Sequence, residues 1–373
     1  MKKKILYLYS DTGGGHKSGV RAIMNAAAKR YGDKIEQEMV DVFAYTSKFL
    51  GFLSQLYGPI IRYYPKMWKN LFYFFEDMDR ISKIETIGWP FMRKEIDKLL
   101  KEYKPDILVS THPVSRMVFK RVRERKLRLP LVNVIMDPYT MHRIWVIPEA
   151  DVTVVATDHA KGLTVKYGFP ADRIKVVGVP IDPKFSLSAA EKEKRRKKNH
   201  LAPKLFTVLL MGGGEGSVGM DKIIEEMNQA GLAMQLIVIC GKNEALKKKL
   251  EDSKFKYKIP MRIFGFTDKV DQLMGDSDLL VSKAGPGTIA ESMAMGLPMV
   301  ITSYVPGNEE GNVEFVVKEK IGKFSEDPKV IAKYIKELMG RKAYEACQAN
   351  IVRLRKPDAA FEIAEIIRKY LKI

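Results

Sequence analysis

The residues best suited to chemistry follow a strand-like run that begins at Leu279, where a glycine-rich turn leads into a predicted helix. The turn reads Ala284-Gly285-Pro286-Gly287-Thr288. Two glycines and no bulky side chain let backbone N–H groups at the helix N-terminus approach an anionic ligand. Glu291, one helical turn later, offers a carboxylate that can accept hydrogen bonds from a ribose diol. This stretch predicts a binding site for a phosphorylated ligand.

A polar loop after the next apolar run adds three side chains suited to sugar hydroxyls: Asn308, Glu309 and Asn312. A lone glycine-rich turn is more often only a strand-to-helix connection. Here the turn, the acidic residue and the polar loop occur in order after successive predicted strands, and together they favour a site for a nucleotide sugar.

Polar groups also follow the predicted strands of the N-terminal half. Gly13-Gly14-Gly15-His16 comes directly after a strand-like run at 5–9, where ligands bind in open α/β sheets. A lone histidine is usually structural, but on a glycine loop at a strand end a structural and a functional role for His16 are both open. Three later strands end at His112, Asp137 and His159, which places these side chains on one side of the sheet.

A second glycine turn, at 212–217, precedes a predicted helix and forms another phosphate-capable site. Gly213, Gly214 and Ser217 are its candidate ligand-binding residues. By itself this signal is weak, because glycine-rich turns between strands and helices are common.

Several motifs resemble the family that contains monogalactosyldiacylglycerol synthases and bacterial diacylglycerol glucosyltransferases. They are KAGPGTIAE, a following GLP, the PGNEEGN loop, the glycine-histidine loop at 13–16 and the stretch 137–145. The resemblance covers most of the chain. Asn308 stands where the family pattern more often has Gln, and the shorter amide bears on which hexose is held.

The resemblance implies an inverting glycosyltransferase that moves glucose or galactose from UDP-glucose or UDP-galactose to diacylglycerol. It implies that the two glycine turns bind the diphosphate and that Phe266 lies beside the uracil ring. Asp137 or His16 is implied as the general base, and both remain candidates. Gly14, Gly15, His112, His142 and Trp145 are implied on the acceptor side. No cofactor or metal is expected, because amide dipoles can stabilise the departing diphosphate.

Composition describes a globular protein with an anionic partner. The 373 residues are 46% hydrophobic and 29% charged, and 64 Lys and Arg against 45 Asp and Glu give a net charge of +19. Cys240 and Cys347 show no disulfide or metal-ligand spacing, so two buried reduced thiols are expected. The lysines and short apolar run at the start predict a first strand of a cytoplasmic protein rather than a signal peptide.

A segment at 47–93 combines aromatic residues with cations. Residues 48–128 hold 18 Lys and Arg against 9 Asp and Glu. Aromatic rings settle at lipid headgroup level while cations meet anionic phosphates. The pattern therefore favours peripheral, monotopic docking at the cytoplasmic face of an anionic membrane over a plain core helix, with Arg62, Lys66, Trp68 and Lys69 as contacts. Nucleic acid is the rival partner, but no zinc-finger, RNP-like or helix-turn-helix pattern supports it.

Alternating strand and helix patterns predict doubly wound parallel sheets. The resemblance implies two such Rossmann-like domains facing a cleft, the GT-B arrangement. The predicted parts are an acceptor and membrane-facing domain at 1–185, a solvated basic linker at 186–203, a donor-binding domain at 204–345, and helices at 346–373 that return to the first domain. After residue 312 only helices are expected.

Three alternatives remain open. One is an N-acetylglucosaminyltransferase of the lipid II-forming type, which shares the glycine-histidine loop and a basic membrane face. Another is a UDP-N-acetylglucosamine 2-epimerase, which needs no aromatic basic segment. The third is a non-catalytic binder of lipid or nucleic acid, which leaves Glu291, Asn308 and Glu309 without a purpose.

Overall fold

A computed structural model of the chain describes residues 2–10, 14–47, 51–52, 56–74, 76–186, 192–212 and 219–373. The chain forms two compact units. The first comprises Met1–Pro183, Val305–Asn308 and Asp358–Ile373, and the second comprises Lys184–Tyr304 and Glu309–Pro357. Each unit is a parallel sheet with helices, which confirms the predicted α/β class.

The first unit is built on six parallel strands in the order β2-β1-β3-β4-β5-β6. Its strands are β1 (Lys3–Tyr9), β2 (Ile35–Asp41), β3 (Ile107–Ser110), β4 (Leu131–Val134), β5 (Val152–Val155) and β6 (Ile174–Val176). Its helices are α1 (Gly15–Tyr31), α2 (Val42–Thr46), α3 (Tyr57–Tyr63), α4 (Pro65–Phe74), α5 (Met78–Tyr103), α6 (Ser115–Glu124), α7 (Asp158–Lys166) and the C-terminal α16 (Ala359–Leu371). Strands β3, β4 and β5 are buried throughout, as expected of parallel strands covered on both faces.

The second unit is also built on six parallel strands, but in the order β12-β11-β10-β7-β8-β9, so that β7, β8 and β9 lie together at one side where the first unit has only β1 and β2. Its strands are β7 (Phe206–Met211), β8 (Met234–Ile239), β9 (Met261–Phe264), β10 (Leu279–Lys283), β11 (Met299–Ser303) and β12 (Gly322–Phe324). Its helices are α8 (Lys192–Lys198), α9 (Met220–Gln229), α10 (Glu244–Ser253), α11 (Val270–Gly275), α12 (Pro286–Ala294), α13 (Glu310–Lys318), α14 (Pro328–Leu338) and α15 (Arg341–Leu354).

Two strands escaped the sequence analysis, and both lie at sheet edges. β2 is mostly polar and pairs only with β1, while β12 has three residues and pairs only with β11. An edge strand contacts one neighbour and needs fewer apolar residues, so its pattern is weak. The expectation of helices alone after residue 312 is therefore wrong at β12.

The last helix of the chain belongs to the first unit. Tyr31 of α1 donates a hydrogen bond to Glu365 of α16 at 2.5 Å, and the Arg30 guanidinium lies 4.6 Å from the centre of the Phe361 ring. The preceding helix α15 belongs to the second unit, so the return begins at Asp358.

The basic run at 192–198 is a short helix: Glu193, Lys194, Lys197 and Lys198 are exposed, as predicted for a solvated segment, whereas the other face is docked by ion pairs. Arg196 is buried and lies 2.5 Å from Asp278, Arg195 lies 3.1 Å from Asp276, and Lys192 lies 2.7 Å from Asp278. Cations at positions i, i+3 and i+4 share one face of a helix, which here meets the two aspartates. These ion pairs join α8 to Asp276 and Asp278 within the second unit.

Both cysteines are free and buried, as predicted. Burial raises the pKa of the Cys240 thiol to about 11 and that of the Cys347 thiol to about 12, so both stay protonated at neutral pH.

Candidate functional site

The strand ends of the first unit gather three aromatic side chains. The His16 ring lies 4.8 Å from the His112 ring and 5.1 Å from the Trp145 ring, and the last two rings are 5.7 Å apart. His16 is the second residue of α1, which begins after Gly14 in the left-handed conformation at φ 80°. The sequence analysis singled out all three side chains, and the structure brings them together.

Backbone contacts hold this aromatic cluster in place. Thr111 Oγ1 donates to the carbonyl oxygen of His16 at 3.2 Å, and the Val114 N–H donates to His112 Nδ1 at 3.2 Å. The buried Asn133 of β4 donates to the carbonyl oxygen of Trp145 at 2.9 Å. These bonds fix the backbone at His16 and Trp145 and the ring of His112.

Both histidines of the cluster are neutral at physiological pH. Burial lowers the pKa of His16 to about 4. Burial also lowers the pKa of His112 well below its usual range, and a charge on His16 would lower it further. The cluster thus presents uncharged rings to an acceptor.

Asp137 follows β4, where the sequence analysis placed it. The residue is half-buried. His159, which follows β5, stacks on Tyr139 with ring centres 4.0 Å apart, so these strand ends are neighbours. His142 is buried: Ile144 N–H donates to its Nδ1 at 3.1 Å, and its Nε2 lies 3.1 Å from the Phe72 carbonyl oxygen.

Charged groups gather at the turn that follows β10 in the second unit. A methyl group on Gly285 would lie 3.4 Å from Lys283 Nζ, 3.7 Å from Thr288 Oγ1 and 3.9 Å from Glu309 Oε1. These three groups therefore surround the glycine turn. Lys283 and Glu309 form an ion pair at 2.5 Å, and Glu309 is buried.

The turn itself opens helix α12, in which Pro286 occupies the first position. The amides of Gly287 and Thr288 have no carbonyl partner within the helix, because first-turn N–H groups never do. A methyl group on Gly287 would meet nothing within 4 Å, so this glycine faces open space. Glu291, half-buried, lies one turn further along α12.

Asn312 holds the turn from behind. It is fully buried in α13, and its Nδ2 donates to the carbonyl oxygen of Ala284 at 2.9 Å. This geometry supports a positioning role for Asn312, whereas the sequence analysis proposed contact with sugar hydroxyls. Lys283 was part of the predicted turn but had no assigned role, and only its place at the end of a strand beside two glycines marked it.

The remaining predicted residues are distributed as follows. Phe266 follows β9 and is 70% exposed. Asn308 accepts a hydrogen bond from Trp68 Nε1 at 3.0 Å within the first unit. Lys66 and Lys69 are exposed on α4. Gly213, Gly214 and Ser217 lie outside the described residues, as does the side chain of Arg62.

The chain matches two known families in sequence. Residues 16–181 match monogalactosyldiacylglycerol (MGDG) synthase, and residues 207–360 match the glycosyltransferase family 28 C-terminal domain. A probable monogalactosyldiacylglycerol synthase of Glycine max is 35% identical over 388 residues, covering 99% of this chain and 72% of the relative. Monogalactosyldiacylglycerol synthase 1 of Arabidopsis thaliana is 33% identical, covering 98% and 72%.

Solved structures share the fold at low sequence identity. MurG of Acinetobacter baumannii aligns over 98% of this chain and 99% of its own, with a TM-score of 0.62 and 14% identity. HepE of Anabaena in complex with UDP aligns over 99% and 100%, with a TM-score of 0.57 and 17% identity. These neighbours establish the GT-B architecture, and the sequence matches establish the lineage. The chain belongs to the monogalactosyldiacylglycerol synthase family of glycosyltransferases, which make glycolipids.

Proposed function

We propose that the protein transfers a hexose from a UDP-sugar to the hydroxyl group of diacylglycerol, with inversion, at the surface of a membrane. The observation that carries the donor half is the set of Lys283, Thr288 and Glu309 around Gly285 at the start of α12. A cation and two unpaired helix amides suit a diphosphate, and a neighbouring carboxylate suits sugar hydroxyls.

The departing diphosphate gains negative charge as the bond to the sugar carbon breaks. The amides of Gly287 and Thr288 and the Lys283 ammonium stabilise that charge, and this requires no metal ion. Removal of metal with EDTA then leaves the transfer rate unchanged. Glu291 accepts hydrogen bonds from the ribose, and Phe266 covers one face of the uracil ring.

The acceptor hydroxyl loses its proton as its oxygen bonds to the sugar carbon. In this proposal Asp137 takes that proton. Burial lowers the pKa of His16 to about 4, and in this proposal its neutral ring orients the hydroxyl. The rings of His16, His112 and Trp145 form an uncharged lining suited to a glycerolipid.

The lipid acceptor requires contact with a membrane. Exposed apolar side chains follow a helical spacing along α4 and the residue before it, at Tyr64, Met67, Leu71 and Phe74. Lys66 and Lys69 are exposed on the same helix. Apolar residues beside cations suit an anionic lipid surface. Among the described residues, no helix is long and apolar enough to cross a bilayer.

The relatives named above are monogalactosyldiacylglycerol synthases, which favours galactose as the donor hexose. Asn308 in place of the more common Gln keeps glucose as the second candidate. The shorter carboxamide reaches about one methylene less far toward the hexose, and glucose and galactose differ in the direction of one hydroxyl.

The test is direct transfer on vesicles. Purified protein is incubated with vesicles of diacylglycerol and phosphatidylglycerol, with UDP-galactose, UDP-glucose or UDP-N-acetylglucosamine in separate reactions, and lipid products are identified by mass and anomeric configuration. We expect a β-hexosyldiacylglycerol from one of the two UDP-hexoses. No lipid product from either would contradict the proposal, and a product from UDP-N-acetylglucosamine alone would replace it.

A further inference from the structure

Helix α4 contacts a part of the predicted sugar-binding loop, and both belong to the first unit. Trp68 Nε1 donates a hydrogen bond to Asn308 Oδ1 at 3.0 Å. One turn later, Phe72 packs against Gly307 so closely that a methyl group there would lie 2.9 Å from the ring. Gly307 also has φ at 85°, a conformation that other residues rarely adopt. Two side chains four residues apart on α4 thus hold consecutive residues of the loop.

The bond from Trp68 decides which way the Asn308 carboxamide faces. An indole N–H can only donate, so its partner must be the amide oxygen. The two N–H groups of the same carboxamide consequently point away from the indole. Asn308 as a whole is half-buried. The indole therefore presents a pair of donors in a fixed direction.

Helix α4 also contacts the segment 137–145. Ile144 N–H donates to His142 Nδ1, so the proton of the neutral imidazole is on Nε2, which donates to the Phe72 carbonyl oxygen at 3.1 Å. The Phe72 ring also meets the His142 ring edge-on at 4.8 Å. The helix that holds Asn308 is thus also hydrogen-bonded to the 137–145 segment.

We propose that Trp68 is a positioning residue for the donor sugar: it orients the Asn308 carboxamide so that both of its N–H groups donate to hexose hydroxyls. This inference rests on the proposed UDP-hexose donor. Trp68 then acts on the hexose and not on the uridine or the diphosphate, which other residues bind. Helix α4, which is expected at the lipid surface, thus also carries Trp68, the residue that orients the Asn308 amide.

The test separates the hexose from the rest of the donor. Trp68→Phe removes the N–H group and keeps an aromatic ring, and Asn308→Ala removes the carboxamide. Binding of UDP and of each UDP-hexose is measured by calorimetry without lipid, so that a change in membrane contact has no influence. Trp89→Phe, a half-buried tryptophan of the same unit, is the matched control.

For Trp68→Phe we expect the Kd of the preferred UDP-hexose to rise about fivefold, the effect of one hydrogen bond, with the Kd of UDP unchanged. The preference between UDP-galactose and UDP-glucose shrinks by a similar factor. The double variant with Asn308→Ala binds UDP-hexose no more weakly than Asn308→Ala alone, because Trp68 acts only through the Asn308 carboxamide, which Asn308→Ala already removes. Trp89→Phe matches the unaltered protein.

Three results would overturn the inference. In the first, Trp68→Phe weakens the binding of UDP and of UDP-hexose equally. In the second, it leaves UDP-hexose binding unchanged. In the third, its effect adds in full to that of Asn308→Ala. An unaltered protein that binds UDP but gains nothing from any attached hexose would overturn the proposed donor itself. That outcome is visible before any variant is made, so the two failures are distinguishable.

Discussion

Both units are six-stranded parallel sheets, but different side chains gather near their strand ends. In the first unit, His16, His112 and Trp145 form a cluster of neutral rings whose histidine pKa values are lowered by burial. In the second, Lys283 and Glu309 form an ion pair beside a helix N-terminus. The parallel sheet only sets where ligands bind, and the residues after each strand decide which ligands. An uncharged lining suits a lipid acceptor, and a charged one suits a diphosphate donor.

The sharpest way to break this comparison is Asp137→Asn. Loss of a general base costs about 10²–10⁴-fold in rate. If the first unit binds the acceptor and the second binds the donor, the hexosyl transfer rate falls by this amount. The Kd of UDP, measured by calorimetry, stays the same. A variant that retains full turnover would clear Asp137 of base duty and return the role to His16. A variant with weakened UDP binding would show that the first unit contributes to the donor.

A second change probes the charged turn. If the Lys283 ammonium contacts the diphosphate, Lys283→Met raises the Kd of UDP about 10-fold or more, the effect of a hydrogen bond between charged groups. Glu309→Gln leaves the cation in place and should leave UDP binding intact or tighten it. Calorimetry on both variants distinguishes this account from one in which Lys283 only neutralises Glu309. In that case adding Glu309→Gln to Lys283→Met would restore UDP binding, because no uncompensated carboxylate would remain near the diphosphate.

The smallest expected effect concerns pH. His16, His112 and His142 have lowered pKa values in the folded chain, so the unfolded chain binds more protons below pH 6.5. Their neutral forms add no pH dependence above that value, and stability falls as the pH drops from about 6.5 toward 4. His112→Gln should make the melting temperature less sensitive to acid over this window. His159→Gln, at an exposed ring of the same unit, is the control, and equal acid sensitivity in His112→Gln and the unaltered protein would count against buried histidines as the cause.

The sequence predicted the interior of each sheet better than its edges. Mostly apolar runs such as 131–136 and 279–282 marked central strands, because burial on both faces favours apolar side chains. β2 and β12 lie at edges, where one neighbour and partial exposure permit polar residues.

Site residues were predicted by type and position along the chain, but their partners required the fold. The ring cluster joins residues from three separate stretches, and no spacing indicates that His16 and Trp145 meet. Asn312 looked like a sugar-binding amide until its bond to Ala284 showed that it supports the turn. The basic run at 192–198 looked solvated because Asp276 and Asp278, which pair with it, lie some 80 residues away in sequence.

The division between the two units is tested most directly by hydrogen–deuterium exchange of the intact protein, with UDP and separately with vesicles of diacylglycerol and phosphatidylglycerol. We predict that UDP slows exchange of backbone amides at 284–291, whereas vesicles slow exchange at 64–74 and 137–145. Protection of 137–145 by UDP, together with no effect of UDP on 284–291, would contradict the assignment of the donor to the second unit and of the acceptor to the first.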